Sequence, residues 1–218
     1  MAGKLLILTA LKFEAAAIAR RLGPGESAEV RVIGPGCGRL SNLDPGSYCG
    51  IVMAGLAGGL DPSLHIGDVL VDQQSTLPLP ATHRWRRGQF HTTAELVATV
   101  AQKQALFAAT GALVVEMENA VARAFALQQG VPFLGVRAVS DRADQPLEPA
   151  TLQWIDPEGR LRPGRLVLDL CRRPGRIGTL WRLGRHSRLA ASRLAEAVDE
   201  VVRAASQAAG GAPGGGAA

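Results

Sequence analysis

Six short apolar runs constrain this chain more than anything else in it: KLLILTA (4–10), EVRVIG (29–34), GIVMAG (50–55), GDVLVDQ (67–73), ALVVEM (112–117) and PFLGVRAVS (132–140). Their apolar character is continuous rather than alternating, as in strands buried on both faces. Helical patterns separate them: FEAAAIARRL (13–22), ELVATVAQKQALFAAT (95–110) and ENAVARAFALQQG (118–130). The last places Ala120, Val121, Ala124, Phe125 and Leu127 on one broad face and stops at Gly130. Strands alternating with helices predict an α/β fold, a single domain with a mixed, mostly parallel central sheet flanked by helices. With 218 residues, 47% of them hydrophobic, the chain suffices for one such domain with a full core.

That domain is expected over 1–205, with a final amphipathic helix from His186 to about Ala205. The Ala/Gly tail 206–218 is expected to be disordered. Residues 142–175, rich in proline, glycine and arginine, predict a long loop holding one short apolar element, RLVLDLC. No internal repeat is present.

Charge is unevenly placed within a net of +5: residues 160–193 hold ten arginines against one acid, Asp169. Such a segment suits peripheral contact with an anionic membrane, and equally suits a solvated arginine face in a chain whose lysines are only Lys4, Lys12 and Lys103. Nucleic acid is not an expected partner, since the only aromatics in or beside that segment are Trp154 and Trp181. Three cysteines without a C-x-x-C argue against a disulfide framework or zinc site, and fit a reducing, cytoplasmic compartment. The stretch MAGKLLILTALKFEAAAIARR turns charged at Lys12 and has no apolar run of ~18 residues, so neither a membrane span nor a signal peptide is expected.

The chemistry concentrates at strand ends. Glu116 and Glu118 close one run and Asp141 the next, and open α/β sheets bind ligands at the carboxyl ends of their strands. The glycines of AGLAGGLDPSLHIGDVLV (54–71) are expected to let backbone amides approach a ligand. Each carboxylate also has a plain structural reading: Asp141 as a helix cap after Ser140, and Glu118 and Glu14 as first-turn acids.

Taken together, AL-x-x-E near the amino terminus, A-G-L-A-G-G-L with G-D after it, V-E-M-E, and P-F-L-G-V-R-A-V-S-D-R-A-D resemble the purine nucleoside phosphorylase and nucleosidase superfamily, which includes methylthioadenosine nucleosidase. The resemblance spans roughly residues 4 to 144. QKQALFAATGALVVEMENAVARAFALQQGVPFLGVRAVSD and CRRPGRIGTLWRLGRHSRLA are most similar to the phosphorylase-like proteins of bacterial hopanoid biosynthesis, which remove adenine from adenosylhopane. The resemblance implies cleavage of the N-glycosidic bond of a 5′-substituted adenine nucleoside, without cofactor or metal, in a homo-oligomer.

That chemistry needs an acid for the departing purine, a carboxylate for the sugar diol and a base for water. By resemblance, Asp141 protonates the purine, Glu118 binds the ribose hydroxyls and Glu14 activates water. Met117 packs on the sugar, and Ser140, Gly55 and Leu96 complete the substrate-binding set. Glu116 is read as structural, and Arg137 either serves phosphate or forms a buried ion pair.

The chain also departs from the pattern. Leu56 stands where hydrolytic relatives often have serine, Leu96 where an aromatic ring often stacks on adenine, and Asn119 where glycine or serine follows M-E. The loops after GPGCGRL and VDQQ are short. A phosphorylase is the alternative enzyme, with Arg31 and Arg39 as the only nearby phosphate candidates, and a catalytically silent nucleoside-binding protein is the alternative of another class.

Overall fold

The computed structural model describes residues 3–147, apart from 26, 45, 47, 81 and 82, together with residues 156 and 177–210. Its strands are β1 (Lys4–Thr9), β2 (Ala28–Val32), β3 (Tyr48–Gly59), β4 (Val69–Asp72), β5 (Arg86–Gly88), β6 (Phe90–Thr92), β7 (Val114–Glu116) and β8 (Phe133–Asp141). Its helices are α1 (Lys12–Leu22), α2 (Val100–Thr110), α3 (Asn119–Gln128) and α4 (Ile177–Gly210).

All eight strands join one sheet. The main path runs β2-β1-β3-β8-β4-β5, and β7 pairs with the end of β3 and with β6. The β1–β2, β1–β3, β3–β8, β4–β5 and β6–β7 pairings are parallel, whereas β4–β8 and β3–β7 are antiparallel. The expected fold, a mixed and mostly parallel sheet flanked by helices, is the observed one. The central strands are dry: Leu6, Ile7, Ile51, Val52, Leu134 and Val136 are fully buried.

The two faces of the sheet are filled differently. On one, Ile18 of α1 and Ala190, Leu194, Val198 and Val201 of α4 pack against Leu5, Ile7, Val52 and Val136. On the other, Ala122 and Ala126 of α3 pack against Leu8, Met53 and Phe133. The buried side of α3 is thus its alanine side. Val121 and Leu127, expected on the packed face, point outward, and Leu127 is 80% exposed.

Several boundaries differ from the sequence expectation for physical reasons. β3 runs on past the expected run GIVMAG (50–55) through Gly58 and Gly59; the strand there pairs with both β8 and β7. α2 begins five residues later than expected, because Thr99 and Gln102 form a reciprocal cap: the Gln102 amide donates to Thr99 Oγ1 at 3.1 Å, and Gln102 Oε1 accepts the Thr99 amide at 2.9 Å. Gly111, in the left-handed region at φ 65°, ends it. α4 starts nine residues before His186 and continues to Gly210, past the expected boundary at 205 and into the stretch expected as a disordered tail. Residues 211–218, RLVLDLC and most of the stretch after 147 that was expected to be a loop lie outside the described residues. No helix among the described residues is long and apolar enough to cross a membrane.

Candidate active site

At the carboxyl ends of β1, β3, β7 and β8 lies a cavity of about 440 Å³. Each strand end delivers one part of its wall. β1 leads into Ala10, Leu11 and, one helical turn later, Glu14; β3 supplies Leu56, Ala57 and Gly58; the β7–α3 junction supplies Val115 to Glu118; and β8 supplies Ser140 and Asp141. Thr93, Glu95, Leu96 and Val97 close the mouth with Leu147 and Asp156. Residues 95–97, expected in a helix, are therefore irregular chain lining the cavity.

Of the expected site residues, Glu14, Leu96, Met117, Glu118, Ser140 and Asp141 all line this one cavity. Gly55 does not. It lies behind the wall, where a methyl group on it would stand 3.4 Å from Glu14 Oε1 and 3.6 Å from Arg137 Nη1. Its lack of a side chain lets a carboxylate and a guanidinium close in from two sides. Gly58 does the same for Asp141, whose Oδ2 would be 3.1 Å from such a methyl.

Glu14 is buried, and both its oxygens accept backbone amides: Leu11 to Oε2 and Leu56 to Oε1, each at 2.9 Å. The first bond closes the start of α1 and the second ties it to β3. Burial outweighs these donors and pushes the Glu14 pKa up to about 7, helped by the charge of Glu118. The Leu56 amide is thereby spent on Glu14 rather than left open to a ligand.

Glu118 stands at the amino end of α3 and accepts the Gly36 amide on Oε1 at 3.2 Å. Its Oε2 lies 3.8 Å from Arg137 Nη2. Burial raises its pKa above the usual carboxylate range, against the pull of Arg137.

Glu116 has the structural place expected of it. It accepts the amides of Glu118 and Asn119 at 2.9 and 2.6 Å, capping α3, and accepts the Thr92 hydroxyl and the Arg137 guanidinium. Burial alone would raise its pKa, but these donors, Arg137 first among them, hold it below its ordinary value. Arg137 is fully buried and also donates to Met53 O at 2.9 Å and Val136 O at 3.2 Å. Of the two readings open to Arg137, the buried ion pair is the one present.

Asp141 accepts the Ser140 hydroxyl on Oδ1 at 2.8 Å and the Lys103 ammonium on Oδ2. Lys103 is the residue that sequence reasoning missed. Its signal was its position three and four residues before Leu106 and Phe107, on the apolar side of α2, where a solvated lysine has no reason to be.

Residues 75–172 match the family model of the phosphorylase superfamily, which takes in both the VEMEN and SDRAD elements. The match falls on the part of the chain that carries the superfamily resemblance seen in the sequence. No curated protein matches the chain. Solved structures share its fold at low identity. The 5′-methylthioadenosine/S-adenosylhomocysteine nucleosidase of Helicobacter pylori, complexed with a pyrrolidine-based ligand, is 16% identical, with a TM-score of 0.65 over 93% of this chain and 99% of that one. Futalosine hydrolase of the same organism gives 16%, 0.65, 94% and 99%. The nucleosidase of Colwellia psychrerythraea in complex with adenine gives 16%, 0.65, 93% and 96%.

Proposed function

We propose that this protein is an enzyme that cleaves the N-glycosidic bond of a 5′-substituted adenine nucleoside by hydrolysis, releasing adenine. The observation that carries this reading is the meeting of Glu14, Glu118 and Asp141, from three different strand ends, in one otherwise mainly apolar cavity. In the proposed reaction, Asp141 gives a proton to the purine as the bond from C1′ breaks, and the sugar develops oxocarbenium character. Glu118 accepts hydrogen bonds from the ribose diol, with Met117 against the sugar. Glu14 takes a proton from the water whose oxygen adds to C1′. A carboxylate titrating near neutrality suits that task.

Hydrolysis is favoured over phosphorolysis by charge. Among the described residues no arginine, lysine or histidine lines the cavity, so no side chain there would neutralise a phosphate dianion. Arg31, one of the two phosphate candidates, pairs with Glu29 and does not line the cavity.

For the 5′ substituent we propose a long apolar group, adenosylhopane being the substrate suggested by the carboxy-terminal resemblance. The wall is aliphatic, with Leu11, Leu56, Leu96, Val97 and Leu147 and no aromatic residue among those described. The amino-terminal third of α4 fits peripheral contact with an anionic membrane. Trp181 is 70% exposed, Arg185 stacks over its ring at 5.9 Å, and Arg182, Arg188 and Leu189 are exposed nearby. A cytoplasmic site of action and self-association through the outward Val121 and Leu127 of α3 complete the proposal.

The deciding experiment is adenine release from a panel of 5′-substituted adenosines with and without phosphate or arsenate. Release independent of either anion is expected. Release that requires phosphate would make the protein a phosphorylase, and binding without release would make it a silent nucleoside-binding protein.

A further inference from the structure

Lys103 has no exposed surface, and its ammonium is saturated: it donates to Asp141 Oδ2, to Arg142 O at 2.8 Å and to Gln145 O at 2.9 Å. A buried ammonium is costly unless all its donors find acceptors, and here all three do. Two of the acceptors are backbone carbonyls after β8, which would make an ordinary structural clamp. The third belongs to the carboxylate that the proposed reaction uses as its acid.

We infer that Lys103 is a positioning residue that decides which oxygen of Asp141 carries the catalytic proton. An ammonium donates and cannot accept, so the oxygen facing it can only accept. A carbonyl oxygen accepts better than a carboxyl hydroxyl, so Oδ2 faces Lys103 as the carbonyl oxygen and a proton on Asp141 stands on Oδ1. Ser140 allows this, because its hydroxyl has a second acceptor, Ala57 O at 3.2 Å, to which it turns when Oδ1 is protonated. With Oδ2 bound to Lys103 and lying against Gly58, the carboxyl cannot rotate to exchange its oxygens without breaking the ion pair. When Oδ1 gives its proton to the purine, the carboxylate left behind faces the Lys103 charge. The same buried cation thus fixes the orientation of the acid before proton transfer and balances its charge afterwards.

This inference rests on the reading of the cavity as an adenine site, and its test separates the two. Lys103→Met, Asp141→Asn and the double variant are compared for adenine release and, by calorimetry, for affinity toward adenine itself. Lys103→Met is expected to lower kcat at least about tenfold, short of the ~10²–10⁴-fold for losing the positioned acid itself, and to weaken adenine binding severalfold. In the Asp141→Asn background it is expected to change neither by more than about twofold, because residues acting as one unit are non-additive. An equal cost in both backgrounds, or no cost in either, overturns the assignment. Should Lys103→Met fail to melt cooperatively, Lys103→Gln, which keeps a donor for the carbonyls without the charge, takes its place; failure of both to fold returns Lys103 to the clamp alone and also overturns it. If the unaltered protein binds adenine but releases none from any nucleoside, the cleavage reading falls while the affinity cycle still decides Lys103. If it binds no adenine, both fall.

Discussion

Glu14 Oε1 accepts the Leu56 amide at 2.9 Å across 42 residues of sequence, so the carboxylate proposed to activate water is also a bond between α1 and the middle of the sheet. This double use has a pH signature. Glu14 is pushed from an ordinary value of 4.5 to about 7, mainly by burial. The folded chain thus holds a proton there that the unfolded chain releases, and stability from this group is fully present below 4.5 and lost as pH rises through about 7. Glu14→Gln is expected to flatten that decline in urea unfolding measured from pH 4.5 to 8. The slope is the readout, because a single amide oxygen replaces two and shifts the level at every pH.

The same variant tests the chemistry. If ionised Glu14 is the base, kcat rises as pH passes through about 7, and Glu14→Gln removes this limb along with ~10²–10⁴-fold of rate. A full rate with an unchanged profile would leave Glu14 as a structural tie only.

Asp141→Asn and Glu118→Gln are expected to fail differently. The first should lower kcat ~10²–10⁴-fold and leave nucleoside affinity within about tenfold, since it removes an acid used in the transition state. The second should weaken binding roughly 10- to 100-fold and slow turnover as well, since hydrogen bonds from the diol to a charged group act in both states. Titration calorimetry beside steady-state rates separates them; identical patterns would contradict the division of roles.

Arg137→Met is expected to cost about 3–5 kcal/mol in chemical denaturation, the range for leaving a buried partner charge uncompensated. Glu116 is the carboxylate left exposed to that penalty, so adding Glu116→Gln should recover part of the loss. No recovery would mean that the guanidinium bonds to Met53 O and Val136 O carry the effect instead.

Asn119 fills the space above Gly135. A methyl group at 135 would stand 2.1 Å from Asn119 Oδ1, whose amide nitrogen is held by Asp72 at 2.7 Å. Gly135→Ala is expected to lower stability by about 1–3 kcal/mol through overpacking. Asn119→Ser should make the alanine tolerable, read as a smaller cost of Gly135→Ala in thermal melts of that background.

Glu118 and Asp141 were legible because each stands at the end of an apolar run in a recognisable pattern, and Glu14 because it stands in AL-x-x-E just after one. What escaped notice was carried by short or mixed signals. β5 and β6 are three residues each, RRG and FHT, too short for a period and too polar to read as strands. The end of β3 is hidden in the sequence because Gly58 and Gly59 look like turn residues; only the sheet shows that Gly58 makes room for Asp141 and Val115. α4 was seen at less than its full length because Gly178 and Gly184 interrupt its start and alanine and glycine its end. Lys103 was passed over as one lysine among three, since its burial depends on a carboxylate 38 residues away.

α4 also sets a timetable. Every proposed catalytic carboxylate has been synthesised once residue 141 is made, yet the part of one sheet face that α1 leaves open waits for Ala190 to Val202. At ribosomal speeds of 5–20 residues per second, that interval lasts roughly 3–12 s. Meanwhile the nascent chain presents a bare wall of leucine, isoleucine and valine. Replacing Leu194 or Val198 by a polar residue should then show first as a loss of soluble yield in the cell, with the molecules that do mature turning over at the ordinary rate.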